Sequence, residues 1–131
     1  MAAGKHNFTI EQGADFDPII TYRNPPADPI NDPDTPGAPI NITGYDARMQ
    51  VRTGSKTGAL VLDMNIGNGE IIILDAVNGQ FQFQVDAAAT AALTEAEFDP
   101  TGFYDFEIIE PGGKVIRLLE GTVQLSTEVT V

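Results

Sequence analysis

Three stretches of this chain alternate apolar and polar residues with a period of two: residues 45–52 (YDARMQVR), 80–85 (QFQFQV) and 102–110 (GFYDFEIIE). In the first, Ala47, Met49 and Val51 fall on one face, and Asp46, Arg48, Gln50 and Arg52 on the other. In the second, Phe81, Phe83 and Val85 oppose Gln80, Gln82 and Gln84; in the third, Tyr104, Phe106 and Ile108 oppose Asp105 and Glu107. A helix would scatter such residues around its circumference, whereas a strand sends successive side chains to opposite faces. Each stretch therefore reads as a half-buried strand, and a chain with three of them has to build a sheet with one covered face. The nine apolar residues named here are the expected core. Gly44 supplies a permissive backbone joint just before the first run.

The remaining segments fit the same architecture. Residues 7–11 (NFTIE) and 16–23 (FDPIITYR) read as strands, with Pro18 placing the second at a sheet edge or a bulge. Residues 59–66 put Leu60, Leu62, Met64 and Ile66 on one face. Residues 70–75 (EIIILD) are apolar on both faces, as in a strand covered on both sides or one at a sandwich corner. Asn78-Gly79 predicts a two-residue hairpin, and Pro111-Gly112-Gly113-Lys114 a second hairpin turn. In residues 115–126, Ile116 and Leu118 share one phase while Val123 and Leu125 share the other. A β-bulge at Gly121, or a strand crossing between sheets there, accounts for the flip. Residues 87–93 (AAATAAL) are the one helix former, with Asp86 as N-cap, and residues 95–101 read as a loop. Eight strand-like runs separated by turn signals predict an all-β fold, a β-sandwich or barrel with one short helix. At 131 residues the chain has the size of one domain.

Residues 24–39 (NPPADPINDPDTPGAP) stand apart. They hold six of the nine prolines, together with Asp28, Asp32 and Asp34. This composition rules out a helix or a central strand and predicts an extended surface loop. The three aspartates are weak candidates for a metal, because oxygen ligands close together can hold Ca²⁺, but their spacing misses the D-x-D-x-D-G pattern with its closing Glu. No cofactor is expected. Cysteine is absent, which removes disulfides, thiolate metal sites and Cys nucleophiles. His6, the one histidine, has no neighbours spaced for a dyad or a zinc site. Gly67-Asn68-Gly69 lacks the Lys-Ser/Thr and the following helix of a phosphate loop. Arg48 and Arg52 are expected to pair with Asp105 or Glu107 on a neighbouring strand, with contact to a partner protein as the alternative. The net charge of −12 argues against binding nucleic acid or an anionic membrane, which needs clustered Lys and Arg. The start, MAAGKHNF, has no apolar stretch of the secretory kind, and no run approaches a membrane span.

The stretch PINITGYDARMQVR, then GFYDFEIIEPGGKVIRLLEG, then TVQLSTEVT, resembles a group of small tailed-phage virion proteins. These show an L-T-G-Y-x-A-x-(M/F)-x-(I/V)-R stretch, a G-x-Y-x-(F/L)-x-(I/L) strand and a V-x-(V/L)-x-(P/T)-E-V-T end. The matching residues are Ile42, Thr43, Gly44, Tyr45, Ala47, Met49, Val51 and Arg52; Gly102, Tyr104, Phe106 and Ile108; and Val123, Leu125, Glu128 and Val129. The pattern, which covers roughly residues 8–129, is similar to the amino-terminal domain of phage upper baseplate proteins and implies an immunoglobulin-like β-sandwich of about 7–9 strands; residues 1–131 are expected to form this single domain. It implies a non-enzymatic virion protein, made in the bacterial cytoplasm, that attaches virion components to one another at a tail or baseplate. Its partners would be other virion proteins and copies of itself, with no nucleic acid, membrane or small-molecule substrate. Two departures stand out: the 24–39 loop is longer than the usual turn, and no long second domain follows. A capsid decoration protein of the same fold, and a carbohydrate- or Ca-binding module, are the alternatives, since a fold does not fix a function. The expected partner-binding residues are His6 and Asn7 near one terminus, Pro29, Pro33 and Pro36 in the loop, and Glu128, Val129 and Val131 at the other terminus. Both terminal segments, 1–7 and 127–131, are expected to be loosely held by the domain itself and to pair with another chain.

Overall fold

The computed structural model describes residues 3–54, 58–98 and 101–127. The alternating runs are strands, and their apolar residues meet in one interior. β4 (Asp46–Thr53) lies antiparallel to β8 (Gly102–Ile109), with Asp46 opposite Ile109 and Thr53 opposite Gly102. β7 (Gln80–Phe83) faces them from the other sheet. None of the nine expected core residues is more than 3 % exposed. Phe106 bridges the two layers, its ring edge-on to Phe81 at 5.6 Å and to Phe83 at 5.0 Å. Such T-shaped contacts suit the quadrupoles of the rings and fill the space between the layers.

The larger sheet has the order β1-β9-β8-β4-β5, where β1 is Gly4–Lys5, β5 is Leu60–Asn65 and β9 is Val115–Ser126; β2 (Phe8–Glu11) also pairs with β9. The smaller sheet is β3-β7-β6, where β3 is Ile19–Thr21 and β6 is Ile71–Asp75. The chain thus forms an all-β sandwich. The third, sixth and seventh strands (β3, β6, β7) stand opposite the strands that end the chain, which is the immunoglobulin-like division. It differs from the constant-domain pattern in its first strand, which joins the last strand in parallel instead of the opposite sheet. α1 (Ala87–Ala91) starts at Asp86, whose Oδ1 accepts the Ala89 amide at 2.8 Å. Thr90 ties the helix to the turn after β2: its hydroxyl donates to the Ala14 carbonyl at 2.8 Å and accepts from the Gly13 amide at 3.0 Å.

Several expectations are corrected in detail. The phase of β9 does flip through a bulge, but the extra residue is Leu118: Phe106 faces Leu119 while Glu107 faces Arg117. Ile116, Leu119, Val123 and Leu125 all contact the core as a result. Gly121 is needed for another reason. A Cβ there would lie 2.1 Å from the His6 carbonyl oxygen, so the residue is small because the N-terminal segment crosses it. The β6–β7 connection is a four-residue loop, with Asp75 opposite Gln80, and not a two-residue hairpin. Within residues 70–75, Ile71–Asp75 form an edge strand, where Ile71 is buried and the bulged Leu74 is exposed. The 95–101 loop contains a 3-10 turn, Glu95–Phe98, that buries Phe98.

The N-terminal segment departs most from expectation. Gly4 and Lys5 pair with Leu119 and Glu120. The His6 amide donates to the Glu120 carbonyl at 3.0 Å, and the Tyr104 hydroxyl donates to the His6 carbonyl at 2.6 Å. Asn7 Oδ1 takes the Thr122 amide at 3.1 Å, standing in for a main-chain acceptor where β1 gives way to β2. Phe8 and Ile10 then enter the core. Residues 4–7 are therefore held by the domain's own last strand, contrary to the expectation of a loosely attached segment.

Candidate functional site

Three loops meet at one end of the sandwich, two of them joined by main-chain hydrogen bonds. The Tyr22 amide donates to the Gly79 carbonyl at 2.8 Å, Ile40 N–H to the Tyr22 carbonyl at 2.9 Å, and Ile42 N–H to the Ala76 carbonyl at 2.9 Å. These bonds hold the stem of the 24–39 loop against the β6–β7 loop. Tyr45 connects both to the β8–β9 hairpin: its ring lies 6.4 Å from that of Tyr22, and its phenol stands near the Glu110 carboxylate. Burial first, then the Glu110 carboxylate and Tyr22, push the Tyr45 phenol above its ordinary value. Gly44, with φ +80, turns the chain here beside Pro111.

The 24–39 loop rises from this end. Its stem closes where the Asn24 amide donates to the Ala38 carbonyl at 2.9 Å and Arg23 Nη1 donates to the Gly37 carbonyl at 3.1 Å. A Cβ on Gly37 would sit 2.0 Å from the Asn24 carbonyl oxygen, so only glycine allows so close a stem. At the far end Asp32 N–H donates to the Asp28 carbonyl at 2.8 Å, and Asn31 N–H to Asp28 Oδ1 at 3.1 Å. Thr35 Oγ1 donates to Asp32 Oδ1 at 2.8 Å. Asp28 and Asp32 thus act as turn-forming side chains of the loop. Asp34 is exposed, as are Pro29, Pro33 and Pro36. Among the described residues no three acidic or imidazole groups come together to hold a metal ion.

Other expected site residues lie apart from this end. His6 stacks edge-on against Phe8 at 4.6 Å, with both main-chain polar groups bonded within the domain. Asn7 is engaged with Thr122. Glu128, Val129 and Val131 lie outside the described residues. Arg48 pairs with Glu107 at 2.9 Å as expected. Arg52 donates instead to the Gly58 carbonyl and to Gln50. Asp105 and Glu120 face each other across β8 and β9, a repulsive pairing relieved by Arg117 at 3.6 and 3.5 Å and by Lys5 on Glu120. Burial and the Glu120 carboxylate raise the Tyr104 phenol well above its ordinary value, which keeps it a neutral donor to His6.

A second concavity was not visible in the sequence. An open depression of about 330 Å³ is lined by Asp15, Asp17, Gly69, Gln84, Val85 and Asp86. Asp15 Oδ1 accepts the Ala87 amide at 2.8 Å, so Asp15 and Asp86 both serve the first turn of α1. Beside them Glu70 is held above the ordinary carboxylate range by burial, then by Asp63 and Asp86.

Three of the sheet edges are poorly suited to ladder pairing. β5 carries a bulge at Val61 and β6 one at Leu74; β3 is three residues long and follows Pro18. Bulges, short length and proline are devices that block edge-to-edge association. Apolar side chains are exposed on these strands, at Ile19, Leu60 and Leu74, and most fully on two loops. Ile30, at the tip of the 24–39 loop, is 88 % exposed, and Val77, in the neighbouring β6–β7 loop, is 68 % exposed. Among the described residues no helix is long and apolar enough to cross a membrane. No family model matches the chain, and comparison with curated proteins returns no match.

Proposed function

We propose that this protein is a non-enzymatic structural subunit of a bacteriophage virion, associated with a tail or baseplate, that joins virion components through the loops at one end of its sandwich. The observation that carries the reading is the 24–39 loop: it projects from a closed stem, is ordered by its own hydrogen bonds, and exposes an isoleucine at its tip. An apolar side chain held out on an ordered, projecting loop offers an assembling subunit a contact. The resemblance supplies the kind of assembly, and its residues occupy positions that make sense for a shared scaffold. Gly44 sits at positive φ, while Ala47, Met49, Val51, Tyr104, Phe106, Ile108 and Val123 are core.

Its partners are other virion proteins and further copies of itself within the particle. The bulged edges favour contact through loops over completion of a β-ladder. The test replaces residues 25–38 with a short turn. The shortened protein is expected to fold and melt as a single unit yet to be depleted from particles. Normal incorporation would rule the reading out. Antibody labelling of intact particles by electron microscopy separates a tail location from decoration of the head.

A further inference from the structure

We propose that Ile30 is the anchor by which this protein docks into an apolar pocket rimmed by Lys and Arg on a neighbouring virion protein. The inference rests on the assembly reading above and names the chemistry of the partner. Ile30 lies between Pro29 and Asn31 in a turn closed by the Asp32 amide on the Asp28 carbonyl, and braced by the Asp28 carboxylate on the Asn31 amide. Pro29 and Pro33 fix φ on either side, and the stem is clamped at Asn24–Ala38 and Arg23–Gly37. The tip is therefore shaped before it meets a partner, and docking sacrifices little backbone freedom. Burying an isoleucine side chain that is now 88 % exposed favours binding by roughly tenfold to a hundredfold.

Charge selects the pocket. Asp28 and Asp32 close the turn that carries Ile30, and Asp34 follows in the same exposed loop, so carboxylates flank the apolar tip. A complementary surface has to offer cations around a hydrophobic centre, which also speeds encounter and rejects acidic partners. A second copy of this chain is a poor occupant, since its own net charge is −12.

The test places the photo-crosslinking residue benzoylphenylalanine at position 30 of the full chain in phage-producing cells. Parallel variants carry it at the exposed apolar positions 60 and 74 on the strands. The proposal expects adducts from position 30 to one virion protein, mapped to a segment where Lys or Arg flanks apolar residues. With that partner purified, Ile30→Ala is expected to weaken binding roughly 30-fold without changing the melting temperature, and added salt to weaken the parent complex. Adducts from 60 or 74 alone overturn the anchor while leaving the assembly reading intact, and adducts from 30 to a second copy of this chain also overturn it. No adduct from any position, with the protein missing from purified particles, defeats both readings.

Discussion

Replacing Phe8 with alanine separates a docked N-terminal strand from a loose one. Phe8 is 7 % exposed, and its ring lies 5.2 Å from that of Tyr104, 5.6 Å from Phe16 and 5.8 Å from Phe83, with His6 edge-on from outside. These neighbours come from β8, from the segment before β3 and from β7, so the side chain joins both sheets. Removing a buried phenylalanine costs about 3–5 kcal/mol. The ring pairs contribute beyond area alone, which places Phe8 in the upper part of that range. Unfolding entropy scales with chain length, and for a domain of this size each kcal/mol lowers Tm by roughly 3–4 °C. Phe8→Ala should therefore lower Tm by about 12–20 °C in a calorimetric or circular-dichroism melt, with a matching shift in denaturant midpoint. An exposed site would change stability by only about 0.5 kcal/mol. A melt within about 2 °C of the parent would refute the account of β2 as part of the core.

Three further outcomes follow from named contacts. Gly121→Ala places a methyl where the His6 carbonyl lies, so β1 must lift; exchange of the His6 amide should quicken and stability fall by about 1–3 kcal/mol, and unchanged exchange would contradict the crossing. Phe83→Ala and Phe106→Ala should each cost about 3–5 kcal/mol, with the double variant losing less than the sum because the rings touch at 5.0 Å; melts like the parent would refute the core assignment. Glu70 holds its proton more tightly folded than unfolded, so its stability contribution declines as pH rises from the ordinary glutamate range through the raised value. Glu70→Gln should thus raise Tm at neutral pH and give no gain below the ordinary glutamate range, and a loss of stability at neutral pH would contradict this.

The parts of the fold that were legible are those written in local periodicity. Period-two runs gave β4, β7 and β8 with their inward residues, because a half-buried strand imposes alternation on every residue it contains. Asp86 was legible as a cap because its role depends on residues only three positions away. The bulge in β9 was legible only in part. A phase flip between Ile116 and Val123 requires one extra residue but does not say which, and glycine is the obvious choice. Gly121 is in fact required by the His6 carbonyl, a contact from the opposite end of the chain. The same holds for Asp15 and Asp86, which meet at the start of α1 with nothing local to signal it. In the candidate site, prolines marked residues 24–39 as a surface loop. The exposure of Ile30 depends on the Asp28–Asp32 turn and the Gly37 stem, which no spacing rule encodes.

The central claim is that this protein is a component of a phage particle, and the most direct measurement is its stoichiometry in particles purified through a density gradient. Quantitative mass spectrometry of each fraction compares it with the major capsid protein. The account predicts that it co-sediments with infectious particles at a constant ratio that survives washing, with a copy number suited to a tail or baseplate position. A protein that stays at the top of the gradient, or whose ratio to capsid protein varies from fraction to fraction, would contradict the account.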